Sequence, residues 1–217
     1  MKSMLIIGSG RFGRHLAESL SELGNEVMVL DSDEKAIAQV VPFATSAQIG
    51  DGSDKAVLKA VGAGNFDVCF VCISSNLETS LTITVFLKEL GADKVIVKVN
   101  QDIHVKLLLH NGADGVIYPE RDMAKRTALK YSVAKAVDYV ELNDSYGIFE
   151  IASPKTWNGH TITEINVRKN YHVNVIAYKD GDSIEPLEDP QYVFCPEQHL
   201  IVAGDKKSFK KLIAKEL

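Results

Sequence analysis

A glycine motif near the N-terminus has the spacing of a phosphate-binding turn. Residues 8–13 read Gly-Ser-Gly-Arg-Phe-Gly and follow a short apolar run at residues 4–7. In this motif the first glycine, Gly8, permits a tight turn, and the second, Gly10, lets phosphates approach the backbone. The third, Gly13, lets the next helix pack closely, and that helix presents partial positive charge to an anion. The motif therefore predicts that the chain binds a nucleotide.

An acid at the end of the next apolar run narrows the choice of nucleotide. Asp31 closes residues 26–31, which have the pattern of a buried strand. A carboxylate in this place accepts hydrogen bonds from ribose hydroxyls, and its charge disfavours a 2′-phosphate. The pair of features indicates ATP, ADP, AMP or NAD and argues against NADP.

Apolar runs alternate with helix-like segments through the first half of the chain. The runs are continuous rather than alternating, which is typical of parallel strands that are buried on both faces. Predicted strands are residues 4–7, 26–31, 45–49, 68–73, 94–99 and 116–118, and predicted helices are 12–23, 33–40, 53–61, 77–90 and 103–110. This order predicts an α/β fold, a Rossmann-like, doubly wound parallel sheet.

The composition changes after a long helix that begins at Pro119. Beyond it lie short strands, tight turns at Asn158-Gly159 and residues 180–182, and a basic terminal helix at 207–215. These features predict a second, smaller α+β domain. We expect a nucleotide-binding domain over residues 1–118, a crossover helix and linker over 119–139, and the smaller domain over 140–217. The crossover helix is predicted to end at about residue 137.

Length, charge and hydropathy exclude several classes of protein. At about 150 residues per domain, 217 residues correspond to one full domain and a smaller one, and a net charge of −5 argues against binding nucleic acid. The longest apolar stretch, residues 68–73, is far short of the roughly 20 residues of a membrane helix. No signal peptide is recognised, and three cysteines do not make a disulfide framework. A cytoplasmic protein is expected.

Motifs that resemble catalytic sites do not form a convincing constellation. Tyr131 and Lys135 have the Tyr-x-x-x-Lys spacing of short-chain dehydrogenases, but those enzymes use a different glycine spacing. Cys69 and Cys72 lie three apart on a predicted strand, where they point to opposite faces and cannot share a metal or a bond. The sequence therefore favours a sensor over an enzyme. An NAD(H)-binding redox sensor and a small NAD-dependent oxidoreductase remain as alternatives.

In its motifs and their order, the chain resembles RCK-type cytosolic regulators of potassium transport, the Ktr/Trk gating subunits. The first half matches through residues 8–13, Asp31, Gly50-Asp51-Gly52-Ser53, 65–67 and 112–120. The second half matches the RCK C-domain through residues 158–168, Tyr171, 173–177 and 200–204. The resemblance implies a regulatory subunit that senses ATP and ADP and gates a separate, membrane-embedded potassium-translocating subunit.

The resemblance also implies roles for individual residues. Arg11 would reach the terminal phosphate, and Glu120 would ligate a divalent cation at a dimer contact. Lys98 would add positive charge near the phosphates. The alternatives are that Arg11 pairs with a nearby acid, that Lys98 is exposed and snorkelling, and that Glu120 stabilises a helix start. The implied nucleotide-binding residues are Gly8, Gly10, Arg11, Phe12, Gly13, Asp31, Ser32, Asp51, Gly52, Ser53, Ile73, Ser74 and Lys98.

The second domain is implied to dimerise and to hold a second ligand. Arg168 and Asn174 lie where cyclic di-AMP would be contacted, although an ordinary surface arginine is the alternative for Arg168. The homodimers would assemble into a ring, expected to be an octamer, at the inner face of the membrane. Ser9 and Ser74-Ser75-Asn76 depart from the commoner residues of the family near the nucleotide.

Overall fold

The computed structural model describes residues 1–73, 76–132, 136–143, 145–181 and 183–216. The chain divides into two compact units, Met1–Arg121 and Asp122–Leu217. Each unit has its own sheet and its own buried apolar core.

A six-stranded parallel sheet forms the centre of the first unit, in the order β3-β2-β1-β4-β5-β6. The chain runs outward from β1 to β3, then returns to β4 on the other side of β1. This reversal opens a crevice at the carboxyl ends of β1 and β4, where ligands of doubly wound folds bind. The strands are β1 Ser3–Ile7, β2 Glu26–Asp31, β3 Ser46–Ile49, β4 Val68–Val71, β5 Val95–Lys98 and β6 Gly115–Ile117.

Helices cover both faces of this sheet and confirm the predicted α/β class. Alternate strand residues enter different cores: Leu5 and Ile7 pack on one face, whereas Met4 and Ile6 pack on the other. The helices are α1 Arg11–Glu22, α2 Glu34–Val40, α3 Lys55–Ala60, α4 Leu77–Glu89, α5 Asp102–His110 and α6 Pro119–Ser132. Helix α6 extends beyond Arg121, the last residue of the first unit.

The two cysteines near β4 confirm the prediction of opposite faces. Cys69 packs with Leu5 and Ile7, whereas Cys72 packs with Met4 and Ile6. Both thiols are free and buried, and burial raises the pKa of each to about 12. Since the thiolate is the reactive form, these groups are inert near neutral pH.

The second unit is an antiparallel sheet with small helices, as predicted for an α+β domain. Its strand order is β10-β9-β11-β8-β7. The strands are β7 Ala136–Glu141, β8 Tyr146–Ala152, β9 Val173–Asp180, β10 Ser183–Pro186 and β11 His199–Asp205, and the helices are α7 Ile162–Ile165, α8 Val167–Tyr171 and α9 Lys206–Glu216.

Period-two alternation on β8 directs Phe149 into the core of the second unit. Phe149 and Ile151 are buried, whereas Ile148 and Glu150 are only half-buried. The Phe149 ring stacks on Phe209 of α9, with ring centroids 3.5 Å apart. This stacked pair joins the sheet to α9 within the core of the second unit.

Two details of the predicted secondary structure are wrong. The helix from Pro119 ends at Ser132, and residues 136–141 form β7, because this segment pairs with β8 along its length. The short helices α7 and α8 were not predicted, since four or five residues are too few to show a helical period. Lys135 of the Tyr-x-x-x-Lys motif lies outside the described residues, and Tyr131 is exposed.

Replacing Phe149 with Ala should destabilise the second unit by about 3–5 kcal/mol, the cost of a large cavity in an aromatic core. Trp157 is the only tryptophan in the chain and is buried in this same core, so its fluorescence during urea unfolding reports this unit. The matched control is Ile148→Ala, on the opposite face of β8, which should cost less than half as much. Equal losses would contradict the assigned faces.

Candidate functional site

The turn after β1 has a backbone that only glycine adopts readily. Gly8 has φ of +96°, and its N–H donates to the carbonyl oxygen of Leu30 at 2.8 Å. A Cβ atom at Gly8 would lie 3.0 Å from Cγ1 of Ile73 and 3.2 Å from the carbonyl carbon of Cys72. The turn is thus wedged between β2 and the segment after β4, which requires the first glycine of the motif.

The other two glycines have the distinct roles that the motif predicts. A Cβ at Gly13 would lie 2.0 Å from the carbonyl oxygen of Gly8, so α1 packs against the turn with no room for a side chain. At Gly10, by contrast, an added Cβ would meet nothing within 4 Å. Gly10 is the N-cap of α1 and has no capping side chain. The space beside this helix start is therefore open on the Cβ side of Gly10, and an anion can approach the start of α1 there.

Asp31 closes the turn through hydrogen bonds of its own. Its Oδ2 accepts from the backbone N–H of Ser9 at 2.5 Å and from the Ser9 hydroxyl at 3.1 Å. Its Oδ1 accepts from the N–H of Asp33 at 2.9 Å. Ser9, the departure from the family pattern, is 5% exposed and so serves this internal contact. A carboxylate offers about four acceptor positions, so Asp31 retains capacity for ribose hydroxyls.

A cavity of about 340 Å³ lies at the carboxyl ends of β1, β2, β3 and β4. This volume falls within the roughly 300–1,000 Å³ of small-molecule sites. Predicted residues that line it are Gly8, Gly10, Asp31, Ser32, Asp51, Gly52 and Ile73. Lining residues that were not predicted as site residues are Ile7, Leu30, Gly50 and Cys72. The sequence did contain a signal for them, since each lies within one residue of the end of a predicted strand.

The segment that follows β3 forms the wall opposite the glycine turn. Oδ1 of Asp51 accepts from the N–H of Ser53 at 2.8 Å and from its hydroxyl at 2.7 Å, and these bonds lower the pKa of Asp51. Ser53 therefore shapes the wall but does not line the cavity. A Cβ at Gly52 would lie 2.6 Å from Cγ2 of Ile7, so this wall presses directly on β1.

A second group of predicted residues gathers beside the glycine turn without lining the cavity. Nζ of Lys98 lies 2.9 Å from Oε1 of Glu120 and 5.9 Å from the ring centroid of Phe12. The hydrogen bond from Lys98 lowers the pKa of Glu120, and the charge of Arg11 adds to this effect. The Lys98 side chain is only 9% exposed, so it is a buried, paired cation rather than an exposed snorkelling one.

Glu120, the predicted cation ligand, has few other metal-ligating side chains near it among the described residues. Among the described residues, no group of three His, Cys, Asp or Glu side chains is arranged to hold a metal. A cation at Glu120 would thus need oxygen ligands from a nucleotide or from another copy of the chain. Ser74, another predicted site residue, lies outside the described residues.

The second unit brings Arg168 and Asn174 together in a cavity of its own, of about 480 Å³. Nε of Arg168 donates to Oδ1 of Asn174 at 2.8 Å, which holds the guanidinium against β9 and leaves its other donors available. Across the cavity, the carbonyl of Pro190 accepts from the hydroxyl of Thr163 at 2.7 Å, and Glu188 and Asp189 also line the wall. The cavity is therefore lined by both a guanidinium group and oxygen acceptors.

A search of the described residues finds no helix with the length and apolar character needed to span a lipid bilayer.

Comparison with known proteins identifies two domain families. The TrkA-N domain model matches residues 4–119, and the TrkA-C domain model matches residues 147–215. Ktr system potassium uptake protein C of Bacillus subtilis is 38% identical over 215 residues, which cover 98% of this chain and 97% of that protein. Ktr system potassium uptake protein A of the same organism is 31% identical, over 97% of this chain and 95% of that protein.

A solved structure, "GsuK channel bound to NAD", shares the fold of the chain. It superposes with a TM-score of 0.69 at 19% identity over 100% of this chain, which corresponds to 40% of that channel. The chain therefore spans less than half the length of this structural neighbour, while it spans nearly all of the two Bacillus relatives.

Replacing Gly13 with Ala should lower the free energy of unfolding by about 1–3 kcal/mol, because α1 must move away from the Gly8 carbonyl. Urea unfolding followed by far-ultraviolet circular dichroism measures this loss. Gly10→Ala is the matched control: its Cβ meets open space, so only an N-cap cost of about 1 kcal/mol or less is expected. A Gly13→Ala variant as stable as Gly10→Ala would contradict the close packing.

Proposed function

The chain belongs to the family that combines a TrkA-N domain with a TrkA-C domain, and we propose that it is the nucleotide-sensing regulatory subunit of a Ktr-type potassium uptake system. One observation supports this most directly: the glycine turn and Asp31 meet at a single cavity in the family's nucleotide-binding domain. The relation to two Ktr uptake proteins over nearly the whole chain indicates the system in which the sensor works.

The proposed ligand of the first unit is an adenine nucleotide, with ATP and ADP as the competing states. Asp31 would bind the ribose, Asp51 and Gly52 would border the adenosine, and the phosphates would lie over Gly10 at the start of α1. Arg11 is the first residue of α1 and follows Gly10 directly, and its charge already acts on Glu120. An extra phosphate would compete with Glu120 for Lys98 and Arg11, and this competition would distinguish ATP from ADP.

A divalent cation fits the same proposal. If a triphosphate took over Lys98, the Glu120 carboxylate would lose its partner, and together with phosphate oxygens it would offer the hard oxygen ligands that such cations prefer. When bound, the cation would offset the charge between Glu120 and the phosphates. In this proposal Glu120 exchanges one positive partner for another as the nucleotide changes.

Gating would follow from different affinities of the two nucleotides for two dimer shapes. A ligand shifts such an equilibrium only through its differential affinity, and moving it from 1:99 to 99:1 takes about 5.5 kcal/mol. Several protomers acting together in a ring, which we propose to be an octamer, can sum smaller contributions. The ring would lie at the cytoplasmic face of the membrane and act on a separate potassium-translocating subunit. It would not be an enzyme.

A different nucleotide use remains as the second candidate. The structural neighbour is described as NAD-bound, and Asp31 suits NAD as well as ATP. Because that neighbour is a channel, its bound NAD favours an NAD(H)-dependent sensor over an oxidoreductase. The only thiol that lines the cavity, Cys72, is inert at neutral pH, because burial raises its pKa to about 12. AMP is a further member of the same ligand class.

The cavity of the second unit is proposed to bind cyclic di-AMP. Arg168 would bind a phosphate of this ligand, since a guanidinium offers two parallel donors to phosphate oxygens. Asn174 would hold Arg168 in place and contact a base, and this unit would also dimerise.

Isothermal calorimetry should show micromolar binding of at least one of ATP, ADP, AMP and NADH. Asp31→Ala should weaken that binding by about 10- to 150-fold, the loss of hydrogen bonds to a charged group. Asp33→Ala removes the N-cap of α2 two residues away but no residue that lines the cavity, so its affinity should stay within about twofold.

Failure of all four nucleotides to bind would remove the sensor proposal. Binding of NADH alone would favour the NAD-dependent alternative, and turnover of NADH with carbonyl substrates would favour an enzyme. Equal losses in Asp31→Ala and Asp33→Ala would show that the effect comes from folding rather than from ribose recognition.

For the second site, Arg168→Ala should weaken cyclic di-AMP binding by at least about tenfold, because a charge-assisted hydrogen bond is lost. The matched control is Lys169→Ala, which removes the adjacent positive charge but does not line the cavity. Calorimetry on the full chain measures both. Retained affinity in Arg168→Ala, or equal loss in the two variants, would contradict this placement.

A further inference from the structure

One face of α9 carries a cluster of lysines that no proposed ligand site uses. Residues 206–216 contain five lysines and one acid, whereas the whole chain has a net charge of −5. Lys206, Lys207, Lys210, Lys211 and Ala214 line a shallow hollow of about 470 Å³ on this face. We call these residues the basic face.

Three members of the basic face have no acidic partner in the part of the chain that the structure describes. Lys207, Lys210 and Lys211 are exposed, and no carboxylate of the described residues lies within ion-pair distance of their ammonium groups. Lys206 differs, since its ammonium group lies 5.8 Å from the ring centroid of Tyr139. The positive charge that the basic face offers to an external partner therefore comes from Lys207, Lys210 and Lys211.

These positions do not serve the stability of the helix. Lys207 and Lys211 are four residues apart, where like charges repel, and Lys207 lies in the first turn, where the helix dipole disfavours a cation. The opposite face supplies the packing, through buried Phe209 and Leu212. Asp205 supplies the cap by accepting from the N–H groups of Lys207 and Ser208. The helix is thus held without the lysines, and their positive potential is reinforced by the helix start.

We propose that the basic face binds the anionic headgroups of a lipid membrane. This inference rests on the proposed function, which brings the chain beneath a membrane. A cluster of lysines on one helix face is typical of segments attracted to anionic lipid, which adds affinity for each lysine near the surface. The cluster contains no arginine, and lysine acts as a point charge suited to a diffuse negative surface rather than to a fixed bidentate ligand.

The test is co-sedimentation of the full chain with vesicles of phosphatidylglycerol and phosphatidylcholine at about 3:7, against pure phosphatidylcholine. Binding should occur only with the anionic vesicles and should fall as salt rises from about 0.05 to about 0.5 M. The combined variant Lys207→Gln, Lys210→Gln, Lys211→Gln should lose about 100-fold in partitioning, roughly fivefold per lysine. Replacement of the same three by Arg keeps the charge and should retain binding.

The matched control changes the net charge equally through three other exposed lysines: Lys59→Gln, Lys94→Gln and Lys155→Gln. Equal losses in the two glutamine variants, or no binding of the wild type to anionic vesicles, would overturn the proposal. Displacement by millimolar inorganic phosphate would indicate a soluble anion instead of lipid. A change of oligomeric state in the α9 variant, with vesicle binding intact, would indicate a second copy as the partner.

Nucleotide calorimetry on the same samples separates this proposal from the function it rests on. A chain that binds ATP or ADP but not vesicles overturns only the lipid inference. A chain that binds no nucleotide overturns the sensor proposal, whatever the vesicles show.

Discussion

The contact between α1 and the turn after β1 is the constraint on which the first unit depends. The Gly8 carbonyl occupies the place where a Gly13 side chain would project, so the helix start is pressed against the sheet. That position brings the start of α1 to the carboxyl end of β1, beside the crevice between β1 and β4. Asp31 then closes the turn from β2, through Ser9. The same few atoms therefore hold the sheet, the helix and the cavity in one arrangement.

Beside the glycine turn, the Lys98 ammonium group is paired with a carboxylate of the same chain. Lys98 is almost fully buried and bonded to Glu120, and Arg11 adds to the field at that carboxylate. Removing one partner of such a pair is costly, because the other is left unpaired at low dielectric. An incoming phosphate would supply the replacement partner. The proposed nucleotide would in this way use an ion pair that the chain already contains.

The two units differ in how they achieve a core. In the first unit, apolar strand residues enter cores on both faces of a parallel sheet. In the second, one face of an antiparallel sheet packs on small helices, with Phe149 and Phe209 stacked at the centre. The one-sided packing leaves half-buried residues such as Ile148 and Glu150 on the other face. It also lets α9 direct its lysines outward.

Much of this could be predicted from the sequence, because the determining signals are local. The spacing of Gly8, Gly10, Gly13 and Asp31 sets a turn, a helix start and an acid within one βαβ unit, and unbroken apolar runs indicate buried parallel strands. Only the tertiary structure decided which distant residues meet. The Lys98–Glu120 and Arg168–Asn174 contacts, the end of α6 at Ser132 and the cavity wall at Gly50 depend on strand pairing and packing between separated segments. Local propensity contains no information about such pairings, whereas the burial of whole elements selects them.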